Sequence, residues 1–209
     1  MTRKEISKSV LKRLPGYLAY LKTISTTNIS ATSLAAALGM GEVQVRKDLA
    51  MVSDGGRPKI GYLRESLIDD IEQFLGYDNT TDAVLIGAGK LGQALCGYSG
   101  FEAYGLNILA AFDNHSEASH TQDGKPIYPM EELQNFCKSN KVLMGIITVP
   151  AQYAQEVCDQ LIACGIKAIW SFATSHLEVP EGILVQYENM ATSLAVLSMH
   201  LQAQIKEKK

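Results

Sequence analysis

Gly87-Ala88-Gly89-Lys90-Leu91-Gly92 follows directly on the short apolar run Asp82–Ile86 and precedes a helical pattern extending to about Tyr104. Three glycines at this spacing, between a strand and a helix, suit the capture of a pyrophosphate. Gly87 permits the tight bend, Gly89 lets the backbone approach the phosphates, and Gly92 lets the helix pack closely on the strand. The helix start adds free N–H groups and a positive dipole end. The next apolar run, Asn107–Phe112, ends in Asp113. A carboxylate about twenty residues past such a turn binds the ribose hydroxyls and repels a 2′-phosphate, which favours NAD(H) over NADP(H).

A site of this kind needs a sheet to hold it. Two further apolar runs, Val142–Val149 and Ile166–Phe172, flank a helical stretch from Ala151 to about Cys164. The alternation predicts a right-handed, mostly parallel Rossmann-type sheet. Thr148-Val149-Pro150 then falls at the carboxyl end of a strand, placed to wall the nicotinamide side.

Catalytic groups for dehydrogenase chemistry are not evident. No Tyr-x-x-x-Lys occurs, and His115, His120, His176 and His200 have no assigned partner. The chain also lacks the length for a separate substrate domain. The reading is therefore a cofactor-binding regulator, not an enzyme. An oxidoreductase with an accessory basic domain stays open as an alternative, as does a DNA-binding protein whose second half takes another nucleotide or coenzyme A.

The basic end supplies the rest of that reading. Residues 1–64 hold eleven Lys and Arg against four Asp and Glu, and residues 65–209 hold eight against eighteen. A net charge of −3 thus conceals a basic module joined to an acidic one, the pattern of a polyanion-binding end. Ile6, Val10, Leu14, Leu18 and Leu21 recur at helical spacing, with Pro15 predicting a kink or a late helix start. Ser30 to Ser33 offer N-cap oxygens to a short helix, Leu34–Leu38, ended by Gly39. A second helix, Glu42–Val52, completes a helix-turn-helix. On its wheel Val45, Leu49 and Val52 face the core. Gln44 and Lys47 point away with Arg46 at the flank, a face suited to a major groove. Asp48, at the core edge, is expected to orient a basic neighbour. Arg57 and Lys59, in a Gly- and Pro-containing stretch from Ser53 to Tyr62, read as a β-hairpin wing reaching phosphates or a minor groove. A solvated basic face on a small helical dimerisation domain is the blander account of the same charges.

No apolar run reaches the ~18 residues of a membrane span, and the N-terminus has no signal-peptide pattern. The four cysteines, at 96, 137, 158 and 164, form no CxxC and no metal-ligand spacing, so packed thiols in a cytoplasmic protein are expected, without a metal.

Taken together the residues resemble the Rex family of redox-sensing transcriptional repressors. The resemblance is carried by Lys12-Arg13-Leu14-Pro15, Val45-Arg46-Lys47-Asp48-Leu49, Gly56–Tyr62, Ile86–Gly92, Ala110–Asp113, Val149-Pro150-Ala151 and Ala163–Lys167. It implies a homodimer whose paired winged helices hold inverted-repeat, double-stranded operator DNA. It also implies NADH and NAD⁺ as opposing ligands, with NADH releasing the DNA. The C-terminal helix, Asn189–Ile205, would be exchanged between subunits through Leu194, Leu197, Leu201 and Ile205; without the family, that stripe is an amphipathic helix packing on something. Met190 and Tyr98 are expected at the cofactor site, transmitting closure. The chain departs from the family's pattern at Lys90, at Ser171-Phe172-Ala173-Thr174 and at Asn189-Met190. The expected division is 1–78 for the winged-helix domain, 79–188 for the Rossmann domain and 189–209 for the swapped helix.

Overall fold

The computed structural model describes residues 7–77, 81–116 and 119–207, except for the side chains of Lys8, Met190 and Glu207. The chain divides between residues 79 and 80 into two compact units.

In the first unit, helix α1 (Lys8–Thr23) turns Val10, Leu14, Tyr17, Leu18 and Leu21 inward. Pro15 lies inside this helix, so the late start does not occur. The ring removes one N–H from the ladder, at a position where the buried face holds the turns together. Ile6 lies outside the described residues. Helix α2 (Ala31–Leu38) starts a turn earlier than the sequence suggests, because the Ser30 hydroxyl accepts from the Ser33 amide at 3.0 Å. Helix α3 (Glu42–Val52) has the predicted bounds, and Val45 and Leu49 are fully buried. Strand β1 (Asn28–Ile29) pairs antiparallel with β2 (Tyr62–Leu63), and helix α4 (Arg64–Leu75) packs Leu67 and Ile71 into the same core. The wing is narrower than a full hairpin. One antiparallel bridge, Arg57 to Gly61, closes a turn in which Lys59 adopts φ 65°.

The second unit is built on strands β3 (Thr81–Ile86), β4 (Leu106–Phe112), β5 (Ile127–Tyr128), β6 (Met144–Ile147), β7 (Ala168–Ser171) and β8 (Leu184–Tyr187). Their order is β5-β4-β3-β6-β7-β8, and every neighbouring pair is parallel. Numbered from its own first strand, this is the doubly wound order that reverses direction between β3 and β6, where ligands bind. Helices α5 (Lys90–Cys96), α6 (Leu133–Asn140) and α7 (Ala151–Ala163) cover the sheet, whose core includes Val84, Phe112, Ile147, Cys158 and Leu161. The predicted helix to Tyr104 breaks at Gly97, where the Asp123 carboxylate approaches so closely that a β-carbon would lie 1.8 Å from it. A short 3-10 stretch, Ser99–Tyr104, follows.

Cys96, Cys137 and Cys158 are buried. Burial pushes the Cys96 thiol up to about 11 and the Cys137 thiol to about 12, so both stay protonated and unreactive. Among the described residues no helix is long and apolar enough to cross a membrane, and no cluster of His, Cys, Asp or Glu has a metal-holding arrangement.

Helix α8 (Met190–Glu207) is the last described element, capped by Asn189, whose Oδ1 accepts from the Thr192 amide at 3.2 Å. Its stripe is bare: Leu194, Leu197, Leu201 and Ile205 are all more than half exposed.

Candidate functional site

The glycine turn sits at the reversal point of the sheet. Gly87 has φ 102°, in the left-handed region, and its amide donates to the Phe112 carbonyl at 2.9 Å, tying the turn to β4. Gly92 stands directly beneath. A β-carbon there would lie 1.9 Å from the Gly87 carbonyl oxygen and 3.0 Å from the Thr148 hydroxyl. The Thr148 hydroxyl in turn donates to the Gly87 carbonyl at 2.7 Å, so β6 clasps the turn from the other side. Gly89 differs from both: a β-carbon on it would meet nothing within 4 Å. It faces open space, and a side chain there would fill that space.

That space is a cleft of about 520 Å³ between the carboxyl ends of β3, β4 and β6. Gly87, Gly89, Asp113, Thr148, Val149 and Pro150 all line it. Its size falls in the range of small-molecule sites. Lys90 is exposed at the first position of α5, with Leu91 half-buried beside it. Ala88 is buried, and its amide donates to Asp113 Oδ2 at 2.7 Å, while the His115 amide donates to Oδ1 at 2.7 Å. The acid is thus aimed by backbone donors at the mouth of the cleft.

Sequence reasoning missed one wall. Tyr153, Glu156, Val157 and Gln160 line the cleft from α7, and His115 and Met130 line it from the β4 side. The α7 residues share one helical face, at spacings of three, four and seven, just after the Thr148-Val149-Pro150 turn; that was the available signal. Tyr98 is not a lining residue. It packs edge-to-face on Phe101 at 4.8 Å, in an aromatic chain that continues through Trp170 and Phe172. The Met190 side chain lies outside the described residues.

In the N-terminal unit the α3 face carries exposed Gln44, Arg46 and Lys47, and the wing exposes Arg57 and Lys59. Arg46 is paired with Glu42 one turn earlier. Asp48 is the hub beneath them, 1% exposed. It accepts from Arg13 Nε at 2.7 Å and Nη2 at 2.9 Å, from the Tyr17 hydroxyl at 2.7 Å and from Gln44 Nε2 at 2.8 Å. Burial alone would raise its pKa. The donors from Arg13, Tyr17 and Gln44 outweigh that and hold the carboxyl below its ordinary value.

The chain matches the family described as a CoA binding domain over residues 78–175 and that described as a putative DNA-binding protein N-terminus over residues 5–50. It is similar to the redox-sensing transcriptional repressor Rex of Treponema denticola, with 40% identity over 193 residues, covering 90% of this chain and 92% of that one. Among solved structures it is similar to RSP, a Rex-family repressor. RSP in complex with β-NAD⁺ and operator DNA superposes with a TM-score of 0.89 at 32% identity, over 98% of this chain and 96% of that one. RSP in complex with β-NADH gives a TM-score of 0.85 at 31% identity, over 99% of this chain and 100% of that one. With a glycine turn and an acid at the switch point of one unit, a basic helix-turn-helix in the other, and relatives matching both along nearly their whole length, the chain belongs to the Rex family of redox-sensing transcriptional repressors.

Proposed function

We propose that this chain is a cytoplasmic, homodimeric repressor that binds inverted-repeat operator DNA and is released by NADH, so that it senses the NADH/NAD⁺ ratio. The observation that carries the reading is the cleft at the β3–β6 reversal, with open space over Gly89 and the Asp113 carboxylate at its mouth. Gly87 through Gly92 and Asp113 would hold the pyrophosphate and adenosine, with Thr148, Val149 and Pro150 toward the nicotinamide. The cofactor, when bound, supplies the redox signal through its nicotinamide; the chain supplies the binding, and its response requires different affinity in two dimer states. Residues 1–78 would bind DNA and 79–188 the cofactor. The helix in 189–209 would pair two subunits, which the bare apolar stripe of α8 supports.

Fluorescence anisotropy of a labelled inverted-repeat duplex tests this directly. Release by NADH and not by NAD⁺ is expected; binding indifferent to both would remove the sensor function, and no specific binding would remove the repressor.

Two variants separate the halves. Lys47→Ala should weaken operator binding while NADH affinity holds, and if Lys47 meets a phosphate the salt slope should fall by about one; a parallel loss of NADH binding would mean misfolding or a wrong division of the domains. Asp113→Ala should narrow the preference for NADH over NADPH by roughly tenfold, since it removes both a ribose acceptor and a charge that repels the 2′-phosphate. An unchanged ratio would assign the preference elsewhere.

A further inference from the structure

Asp48 and Gln44 lie one turn apart on α3, and their contact determines which way the Gln44 amide faces. The Asp48 carboxylate is buried and ionised, so it offers only acceptors. The Gln44 atom 2.8 Å from it is therefore the nitrogen, and one N–H of that amide is committed to Asp48. What Gln44 has left to offer, from an exposed position, is its carbonyl oxygen and its second N–H, and the edge with both is free when the N–H given to Asp48 is the one trans to that oxygen. The carboxylate itself is held by the two-pronged grip of Arg13 and by the Tyr17 hydroxyl. It cannot rotate away without breaking three other bonds.

Each base offers a different pattern in the major groove. Adenine shows an N6 donor beside an N7 acceptor, which a donor–acceptor amide meets with two bonds. Guanine shows two acceptors, cytosine one donor and thymine one acceptor. We infer that Gln44 reads an adenine in the operator's major groove, and that Asp48, anchored by Arg13 and Tyr17, is the positioning residue that sets the amide for that base. The inference rests on the proposed placement of α3 in the groove and adds the base it selects there.

The test is selection from a randomised duplex by the full-length protein, by Gln44→Met and by Asp48→Asn, followed by anisotropy on the selected site with the adenine exchanged for each other base. The wild type should select an A·T pair at one position of each half-site and lose roughly tenfold in affinity when it becomes G·C. Gln44→Met keeps length without hydrogen bonding, and should lose the preference at that position alone. Asp48→Asn can donate to the Gln44 carbonyl and so admits the reversed amide; the preference should shrink severalfold. A merely structural role would weaken every sequence alike. Circular dichroism melting reports whether Asp48→Asn is folded, and the exposed Gln44→Met decides the matter if it is not. An unchanged motif with Gln44→Met overturns the inference. Full adenine preference in folded Asp48→Asn overturns the positioning role. A wild type that selects no motif overturns the DNA-binding reading itself, and the inference with it.

Discussion

Gly92→Ala is expected to reduce NADH affinity by at least about a hundredfold and to destabilise the C-terminal unit by about 3 kcal/mol. The added methyl would stand 1.9 Å from the Gly87 carbonyl oxygen, which is backbone and already held by Thr148. Nothing flexible is available to give way, so α5 must lift from β3 and carry the turn out of shape. Gly89→Ala separates binding from folding. Its methyl meets no atom within 4 Å, so the urea midpoint should hold while affinity falls, because the methyl would fill the space proposed for the pyrophosphate. Fluorescence titration with NADH, paired with urea denaturation, reads both quantities. Full affinity and stability in Gly92→Ala would show that the close approach is not needed.

The second large effect is expected at Asp48. Asp48→Ala removes four hydrogen bonds and leaves the buried Tyr17 hydroxyl and the Arg13 guanidinium without their common partner. Breaking such a pair should cost about 3 kcal/mol, and lower the N-terminal unit's melting midpoint by on the order of 10–20 °C. Glu42→Ala, which removes the exposed pairing with Arg46 and an acidic charge from the first turn of α3, should cost about 1 kcal/mol or less. The pH dependence has a definite shape. Asp48 is held below its unfolded value of 3.8, so its contribution is complete above that pH and is lost as pH falls through the folded value. Burial, with the bond to Asp48, pushes the Tyr17 phenol from 10.0 to about 12, so its share is complete below 10 and disappears as pH rises through 12. The network's stabilisation should therefore be flat between about pH 4 and 10 and decline on either side. Thermal melts across pH check this; a midpoint that drops between pH 6 and 8 in wild type but not in Asp48→Ala would contradict it.

Much of this was legible in particular residues. The bounds of α3 could be read because Gly39 and Gly41 mark the turn just before it and the apolar stripe stops at Val52. Asp48 could be seen to orient a neighbour, since an acid on a helix's inner edge must find donors. The partners were not legible: Arg13 and Tyr17 lie 35 and 31 residues away, and no local spacing predicts which helix arrives there. Strands β1, β2 and β5 have two residues each, too short for any alternation to register. Gly97 looked like a tolerable helix glycine, because the Asp123 carboxylate that requires it comes from a distant loop. In the cleft, the glycines and Asp113 carried their own signature. The α7 wall did not, since Tyr153 and Gln160 read equally well as solvent-facing residues.

The bond between the Ala88 amide and Asp113 joins the turn to the acid at the mouth of the cleft, the side proposed for the adenosine. Everything those residues would hold is common to the oxidised and reduced dinucleotide. With this anchorage the two forms would compete for one seat, and any difference in their affinity would come from the nicotinamide side. Occupancy by the reduced form is then governed by the proportion of the two and is largely indifferent to their combined concentration once the seat is filled. A repressor built on the proposed site would keep its set point when the total dinucleotide pool rises or falls with growth.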